Sequence, residues 1–241
     1  ISTNVKYLKK IKFYLKKNKF NKYRIVLEPA KRNTGPAVLS AAIVPDIPNK
    51  QPLLFLPSDH LLEKNNVFNK NLIKNSKYLN NKNIFLFGIK PDNPSKEYGY
   101  LNVKKSGSHL IKIVKFIEKP SVKKAKTLIK TKGLWNSGMF FARKDSIINN
   151  FRKFEKKILK NCYISMSKAR TKGKIINLNK RYFLKSPTNS FDYAILEKCS
   201  DINCIVLNLP WTDLGNWKEI LKVFKKNKLK YLKKKNVFKS P

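Results

Sequence analysis

Short apolar runs alternate with amphipathic stretches along most of the chain. Tyr23 to Leu27 (YRIVL), Leu53 to Leu56 (LLFL) and Ile84 to Gly88 (IFLFG) are compact runs bounded by Pro, Asn or Gly, as expected of buried parallel strands. Helical patterns fit between them. Pro36 to Val44 opens with Pro in its first turn, and Asn66 to Leu79 spaces Val67, Phe68, Leu72, Ile73 and Leu79 among Lys and Asn. This alternation predicts an α/β fold with a largely parallel sheet. From Tyr98 the pattern changes. Tyr100 to Val103 and Ile111 to Ile117 read as strands joined by the turn-forming Ser106-Gly107-Ser108, a small antiparallel excursion on the substrate side. Ser121 to Lys132 predicts a helix, Met139 to Ala142 a buried strand, and Asp145 to Leu159 one long helix capped near Asp145. Phe191 to Lys198 and Trp217 to Phe224 predict two helices flanking a strand at Ile205 to Leu209.

No internal repeat and no linker rich in Gly, Pro or Ser divides the chain, so one domain is expected over residues 1–222, with a lysine-rich segment over 223–241 leading out of it. At 241 residues and 41% hydrophobic content the chain can bury a substantial core. No apolar stretch is long enough to span a bilayer and no secretory h-region opens the sequence, so no membrane partner and a cytoplasmic location are expected. The cysteines, Cys162, Cys199 and Cys204, have no C-x-x-C spacing, which argues against a disulfide framework or a zinc site. Ile1 opens directly into an apolar-patterned segment, so the sequence is expected to start inside a longer reading frame.

Charge adds a question of partners. The 54 Lys and Arg against 14 Asp and Glu give a net charge of +40, a field that attracts any polyanion. The lysines are scattered beside Asn and Ile rather than grouped with aromatics. That distribution reads as compositional drift, with non-specific sticking to polyanions and no specific nucleic-acid partner.

Because acids are scarce, two of them stand out. Asp59 follows LLFLPS and Asp213 follows INCIVLNLPWT, so each sits just beyond an expected strand, where open α/β sheets place their ligands. Two converging carboxylates suit one Mg2+, with phosphate oxygens and water completing an octahedron. For either Asp alone a turn or cap role is equally open. The segment from Glu28 to Pro36 ends a strand and leads into a helix of small residues, so its backbone amides can face an anion or form an ordinary βα turn. No Walker loop and no G-x-G-x-x-G occurs.

Several motifs then appear in an order that resembles the mannose-1-phosphate guanylyltransferases. EPAKRNTGPAVLSAA (residues 28–42) is similar to the family's E-P-x-x-R-N-T-A-P-A, with Gly35 where Ala is usual, and LPSDH (56–60) is similar to L-P-A-D-H. GIKPDNPSKEYGYL (88–101), FIEKP (116–120), WNSGMFFAR (135–143), SFDYAILEK (190–198) and PWTDLGNW (210–217) resemble its remaining motifs, so the resemblance covers residues 1–222. It implies a Rossmann-like, mostly parallel mixed sheet of the nucleotide-diphospho-sugar transferase type. It also implies transfer of GMP from GTP to mannose 1-phosphate, with the sugar phosphate as nucleophile and no protein nucleophile.

By match to the family, Asp59 and Asp213 would hold the Mg2+, and Lys119 would act with them on the phosphates. Glu28, Pro29, Arg32, Asn33, Thr34, Pro57 and Ser58 would line the nucleotide. Gly99, Glu118, Lys119, Asn136 and Asp192 would contact the sugar phosphate, while His60 would orient structure rather than exchange protons. The family's glycine-rich loop, G-G-x-G-T-R-L-x-P-L-S-R followed by P-K-Q, is not among these residues. ISTN (1–4) matches a strand that follows that loop, so the chain as given is expected to be inactive alone and to expose strand edges. Alternatives are a related nucleotidyltransferase for another sugar or nucleotide, or a non-catalytic polyanion-binding relative; a homo-oligomeric state stays open.

Overall fold

The apolar runs become strands and the amphipathic stretches become helices, in a computed structural model that describes residues 1–63, 65–106, 110–215 and 217–227. Strand β1 (Ser2–Asn4) passes through a 3-10 turn into helix α1 (Leu8–Lys17), followed by β2 (Ile25–Glu28), α2 (Thr34–Ala42), β3 (Pro52–Phe55), β4 (His60–Leu62) and α3 (Asn65–Ser76). Next come β5 (Ile84–Ile89), β6 (Tyr100–Ser106), β7 (Leu110–Ile117), α4 (Val122–Lys130), β8 (Leu134–Arg143), α5 (Lys144–Phe154) and α6 (Lys156–Ser167). The chain continues through β9 (Arg170–Lys172), β10 (Ile175–Asn177), α7 (Lys180–Phe183), one π-helical turn at Asp192–Leu196, β11 (Ile202–Leu207), β12 (Trp211–Asp213) and α8 (Trp217–Asn227). Gly107 and Ser108 of the expected turn, and residues 228–241 of the lysine-rich segment, lie outside the described residues. Helix α8 runs through residue 222 without a break.

Among the described residues three sheets form, in the orders β1-β2-β10-β9, β3-β8-β5-β11-β7-β6 and β12-β4. The α/β class and the mixed sheet are as expected, and so is the antiparallel excursion, which is the β6–β7 pair. Among the described residues parallel pairing is confined to β1–β2, β2–β10 and β5–β11, and the remaining ladders are antiparallel. The apolar runs could not show this, because a strand covered on both faces reads the same in either direction.

The six-stranded sheet is buried on both faces, and its alternation sorts the core into two layers. Ile84 and Leu86 of β5, Phe140 and Ala142 of β8, and Ile202 and Cys204 of β11 join the layer shared with α2, α5 and α6. Their neighbours Phe85, Phe87, Met139, Phe141, Ile205 and Leu207 join the other, with Phe68 of α3 and Leu128 of α4. Each Leu, Ile, Phe or Met side chain removed from water here contributes about 1.5–3 kcal/mol.

Some boundaries move. The expected helix over Asp145 to Leu159 is two helices, broken at Glu155 (φ −141°, ψ 56°), whose carboxylate accepts from Lys198 Nζ at 2.7 Å. The apolar spacing Phe151, Phe154, Ile158, Cys162 continues across the break and conceals it. Arg143 rather than Asp145 caps α5, and Asp145 in its first turn binds the Arg143 guanidinium instead. Phe191 to Lys198 is mostly the π-helical turn, and β11 begins and ends earlier than expected.

Candidate active site

Asp59 and Asp213 meet because β4 and β12 pair. These three-residue strands were not legible in the sequence, and their register sets Asp213 opposite His60 and Trp211 opposite Leu62. Asp213 lies beyond β11 as expected and is the last residue of the further strand β12, and Asp59 lies in the turn between β3 and β4. The Asp59 carbonyl accepts from Leu214 N at 2.8 Å, and Asp213 Oδ1 accepts from Gly215 N at 2.7 Å. A Cβ at Gly215 would lie 2.9 Å from Asp213 Oδ1 and 3.6 Å from Asp59 Oδ2, so glycine leaves the approach to both carboxylates open.

One ligand atom from each of Asp59, His60 and Asp213 lies within 4.8 Å of the others. Two hard carboxylate donors at this separation fit a divalent cation such as Mg2+. Trp211 Nε1 donates to His60 Nδ1 at 3.3 Å, and His60 Nε2 stands 4.0 Å from Asp59 Oδ1. With Nδ1 accepting, the neutral ring carries its proton on Nε2, facing Asp59. Burial lowers the His60 pKa, opposed by the charges of Asp213 and Asp59. Tyr98, edge-on to Trp211 at 5.3 Å, has its phenol pushed up to about 12, first by burial and then by Asp213 and other acids. Tyr98 and Trp211 shape this site, and both stand inside quoted motifs, Tyr98 in GIKPDNPSKEYGYL and Trp211 in PWTDLGNW, without having been marked as site residues.

A second cluster gathers Gly99, Glu118, Lys119, Asn136 and Asp192. Asn136 N donates to Gly99 O at 2.7 Å, and Asn136 Nδ2 donates to Asp192 Oδ1 at 3.4 Å. Glu118 Oε2 lies 2.7 Å from where a Gly99 Cβ would sit. Burial raises the Glu118 carboxyl to about 7, helped by Asp192 and opposed by Lys119. Asp192 is raised as well, chiefly by burial. Lys119 adopts a left-handed φ of 41°, unusual for a residue with a Cβ. β8 connects the two clusters: two residues after Asn136, the Cβ position of Gly138 (φ 73°) lies 3.4 Å from His60 Cε1 and 3.6 Å from Pro57 Cγ.

The Glu28 to Thr34 segment is less open than its motif suggests. Glu28 is buried at the end of β2, accepts from Ser2 Oγ at 2.7 Å and is raised by burial. Arg32 donates to Thr188 Oγ1 at 3.1 Å and to the Leu184 carbonyl. Asn33 caps α2 at φ 64°, its Oδ1 accepting from Thr34 N. Thr34 Oγ1 accepts from Phe191 N at 2.8 Å, and Gly35 N donates to Asn189 O at 3.0 Å. These bonds dock the start of α2 on the 188–191 segment; Pro29 is half-buried and Ser58 is exposed.

This architecture is that of a nucleotidyl transferase. The family model described as nucleotidyl transferase matches residues 2–229, and the chain belongs to that family. It is 32% identical over 212 residues to a mannose-1-phosphate guanylyltransferase of Escherichia coli, covering 84% of this chain and 46% of that protein. It is 33% identical over 201 residues to the xanthan biosynthesis protein XanB of Xanthomonas campestris pv. campestris, covering 83% and 43%. The chain thus spans less than half the length of these relatives. A Helicobacter pylori structure described as a mannose-6-phosphate isomerase shares 27% identity at a TM-score of 0.79, covering 88% of this chain and 83% of that one. A Thermus thermophilus structure described as a mannose-1-phosphate geranyltransferase shares the fold at a TM-score of 0.78 and 23% identity, covering 92% and 63%. No described helix is long and apolar enough to cross a membrane.

Proposed function

We propose that the whole protein transfers GMP from GTP to mannose 1-phosphate, releasing pyrophosphate, and that this chain supplies the metal and sugar sites. The observation that carries the reading is the link through β8, with Asn136 in the carboxylate-rich cluster and Gly138 against His60 beside Asp59 and Asp213. A cation-binding carboxylate pair adjoins a half-buried polar cluster suited to a sugar. The relatives named as mannose-1-phosphate guanylyltransferases support the choice of sugar and nucleotide.

In this reaction a phosphate oxygen of the sugar phosphate bonds to the α-phosphorus of the triphosphate. The bond from that phosphorus to the bridging oxygen breaks, and pyrophosphate leaves with the electron pair. Such a centre needs positioning and charge neutralisation more than a protein nucleophile. Asp59 and Asp213 would hold Mg2+, which neutralises phosphate charge. Trp211 fixes the orientation of the His60 ring beside Asp59, and Glu118 and Asp192 accept from sugar hydroxyls while Asn136 donates. Lys119 supplies a cation for the sugar phosphate.

The test is pyrophosphate release by the full-length protein with mannose 1-phosphate and each nucleoside triphosphate. Mg2+-dependent release with GTP, lost in Asp59→Asn and Asp213→Asn, is the expected result. Release with a different triphosphate replaces the substrate assignment, and none with any refutes catalysis.

A further inference from the structure

Lysine is scattered along the sequence, but the fold gathers part of it. Residues 156–191 hold ten Lys and Arg and form the longest stretch of the chain without an Asp or Glu. Some of them line a groove of about 580 Å³, walled by Lys157, Lys160, Asn161 and Ile164 of α6 on one side and by Tyr182 and Lys185 on the other. Positions 157, 160, 161 and 164 fall on one face of a helix. Asn161 ties the walls together: it is buried, and its Nδ2 donates to the Lys157 carbonyl at 2.9 Å and to the Lys185 carbonyl at 3.0 Å. The groove shares no residue with either cluster of the candidate active site. Its cations lack counter-charges. Lys168 Nζ lies 5.3 Å, Lys185 Nζ 5.7 Å and Arg181 Cζ 6.0 Å from the centroid of the Tyr182 ring. An aromatic face attracts a cation but carries no net charge to neutralise it. Among the described residues no ion pair reaches Lys157, Lys160, Lys168, Arg181 or Lys185. Like charges gathered around one groove repel one another until an anion enters.

We propose that this groove binds a linear condensed phosphate, a base-free chain of three or more phosphate groups. Length argues against a single phosphate. Lys157 lies in the first turn of α6 and Lys168 just after its last, eleven residues on (168 minus 157), so at 1.5 Å per residue the cations extend over roughly 16 Å. The crowding of the ring argues against a nucleic-acid strand. Tyr182 is the one aromatic side chain among the described residues that line the groove, and cations already stand over it where a base would stack. Lysine suits a flexible run of phosphates, since each ammonium is a compact point charge on a mobile stem.

The test needs no nucleotide and no divalent cation, so it stands apart from the proposed reaction. Tripolyphosphate is titrated into the full-length protein in EDTA at about 0.15 M salt, where diffuse surface attraction is screened, and amide hydrogen exchange is read residue by residue. The expected result is slowed exchange in α6 and α7. Lys157→Gln, Lys160→Gln and Lys185→Gln together should raise the half-protecting concentration about tenfold, the combined effect of three exposed charge pairs. Lys9→Gln, Lys12→Gln and Lys16→Gln together, at exposed positions of α1, remove the same charge and should shift it by less than about twofold. Lys157→Arg, Lys160→Arg and Lys185→Arg together keep the charges and should keep the protection. Equal loss in the groove and α1 glutamine variants means a diffuse field and overturns the proposal. So do equal protection by orthophosphate, protection by an oligothymidylate of matched charge at lower concentration, or no protection of α6 and α7.

Discussion

Replacing Gly99 with alanine separates the proposed sugar site from the stability of the fold. A Cβ at this position would lie 2.7 Å from Glu118 Oε2, 3.3 Å from Phe116 Cζ and 3.4 Å from Asn136 Cβ. Ordinary contact begins at 3.4 Å, so the carboxylate oxygen must retreat by 0.7 Å (3.4 minus 2.7) while the other neighbours barely move. The displaced atom is the end of a side chain rather than backbone. The stability cost therefore falls at the low end of the overpacking range, about 1 kcal/mol, which lowers Tm by about 2–4 °C for a chain of this size. The loss to a sugar ligand is larger, because a hydrogen bond to a charged group is worth about 1.5–3 kcal/mol, or roughly tenfold to a hundredfold in affinity. Calorimetric titration with GDP-mannose beside a thermal melt reads both quantities. Gly133→Ala is the control: its Cβ would meet the Leu128 carbonyl oxygen at 2.8 Å, backbone that cannot turn aside, and its nearest neighbours all belong to Leu128 rather than to the sugar cluster. It should lower Tm by more and leave affinity unchanged. Parental affinity in Gly99→Ala would refute the placement of the sugar against Glu118.

Glu118, with its carboxyl raised to about 7 by burial, accepts hydroxyl hydrogen bonds fully only when ionised. GDP-mannose affinity should therefore rise between about pH 6 and 8, and Glu118→Gln should flatten that profile. The sign for stability is opposite: the folded state holds this proton above the ordinary carboxylate range, so the contribution of Glu118 to stability falls as pH rises from the unfolded value towards 7. Manganese binding followed by electron paramagnetic resonance should be lost in Asp213→Asn and weakened about tenfold in Trp211→Phe, which frees His60 to turn; unchanged affinity in both would remove the metal from this position. Phe151→Ala, at a side chain with no exposure that packs on Phe191, should cost about 3–5 kcal/mol in a denaturant melt. Phe13→Ala, at 61% exposure, should cost less than about 0.5 kcal/mol.

Much of this was legible in the residues, for reasons that can be named. Buried strands such as β5 announce themselves as apolar runs, and Pro57-Ser58-Asp59 marks a turn that must present a carboxylate at the sheet's end. Strand direction is not encoded in such runs, so β8, read as one more buried strand, turned out to pair antiparallel with both β3 and β5. The partnership of His60 with Trp211 depends on a three-residue ladder between segments far apart in the chain, too short to produce a period. Asp192 was marked by its motif but not by its surroundings, which become a carboxylate cluster only when the π-helical turn packs beside Asn136. Arg32, expected to line the nucleotide, bonds Thr188 and Leu184, groups that no local pattern could place beside it.

The β4–β12 ladder has a consequence for how the site comes into being. Asp213 and His60 face one another at a sequence separation of 153 (213 minus 60), and closing a loop of that length costs roughly 4 kcal/mol of chain entropy before any contact compensates it. The ladder is short and its strands only half-buried, so little local energy holds it until the large sheet has formed beneath. The carboxylates thus converge late in folding and separate early in unfolding. Affinity for the proposed cation becomes a gauge of whether the two halves of the chain have met, and a destabilised variant should lose cation binding well before it loses its core.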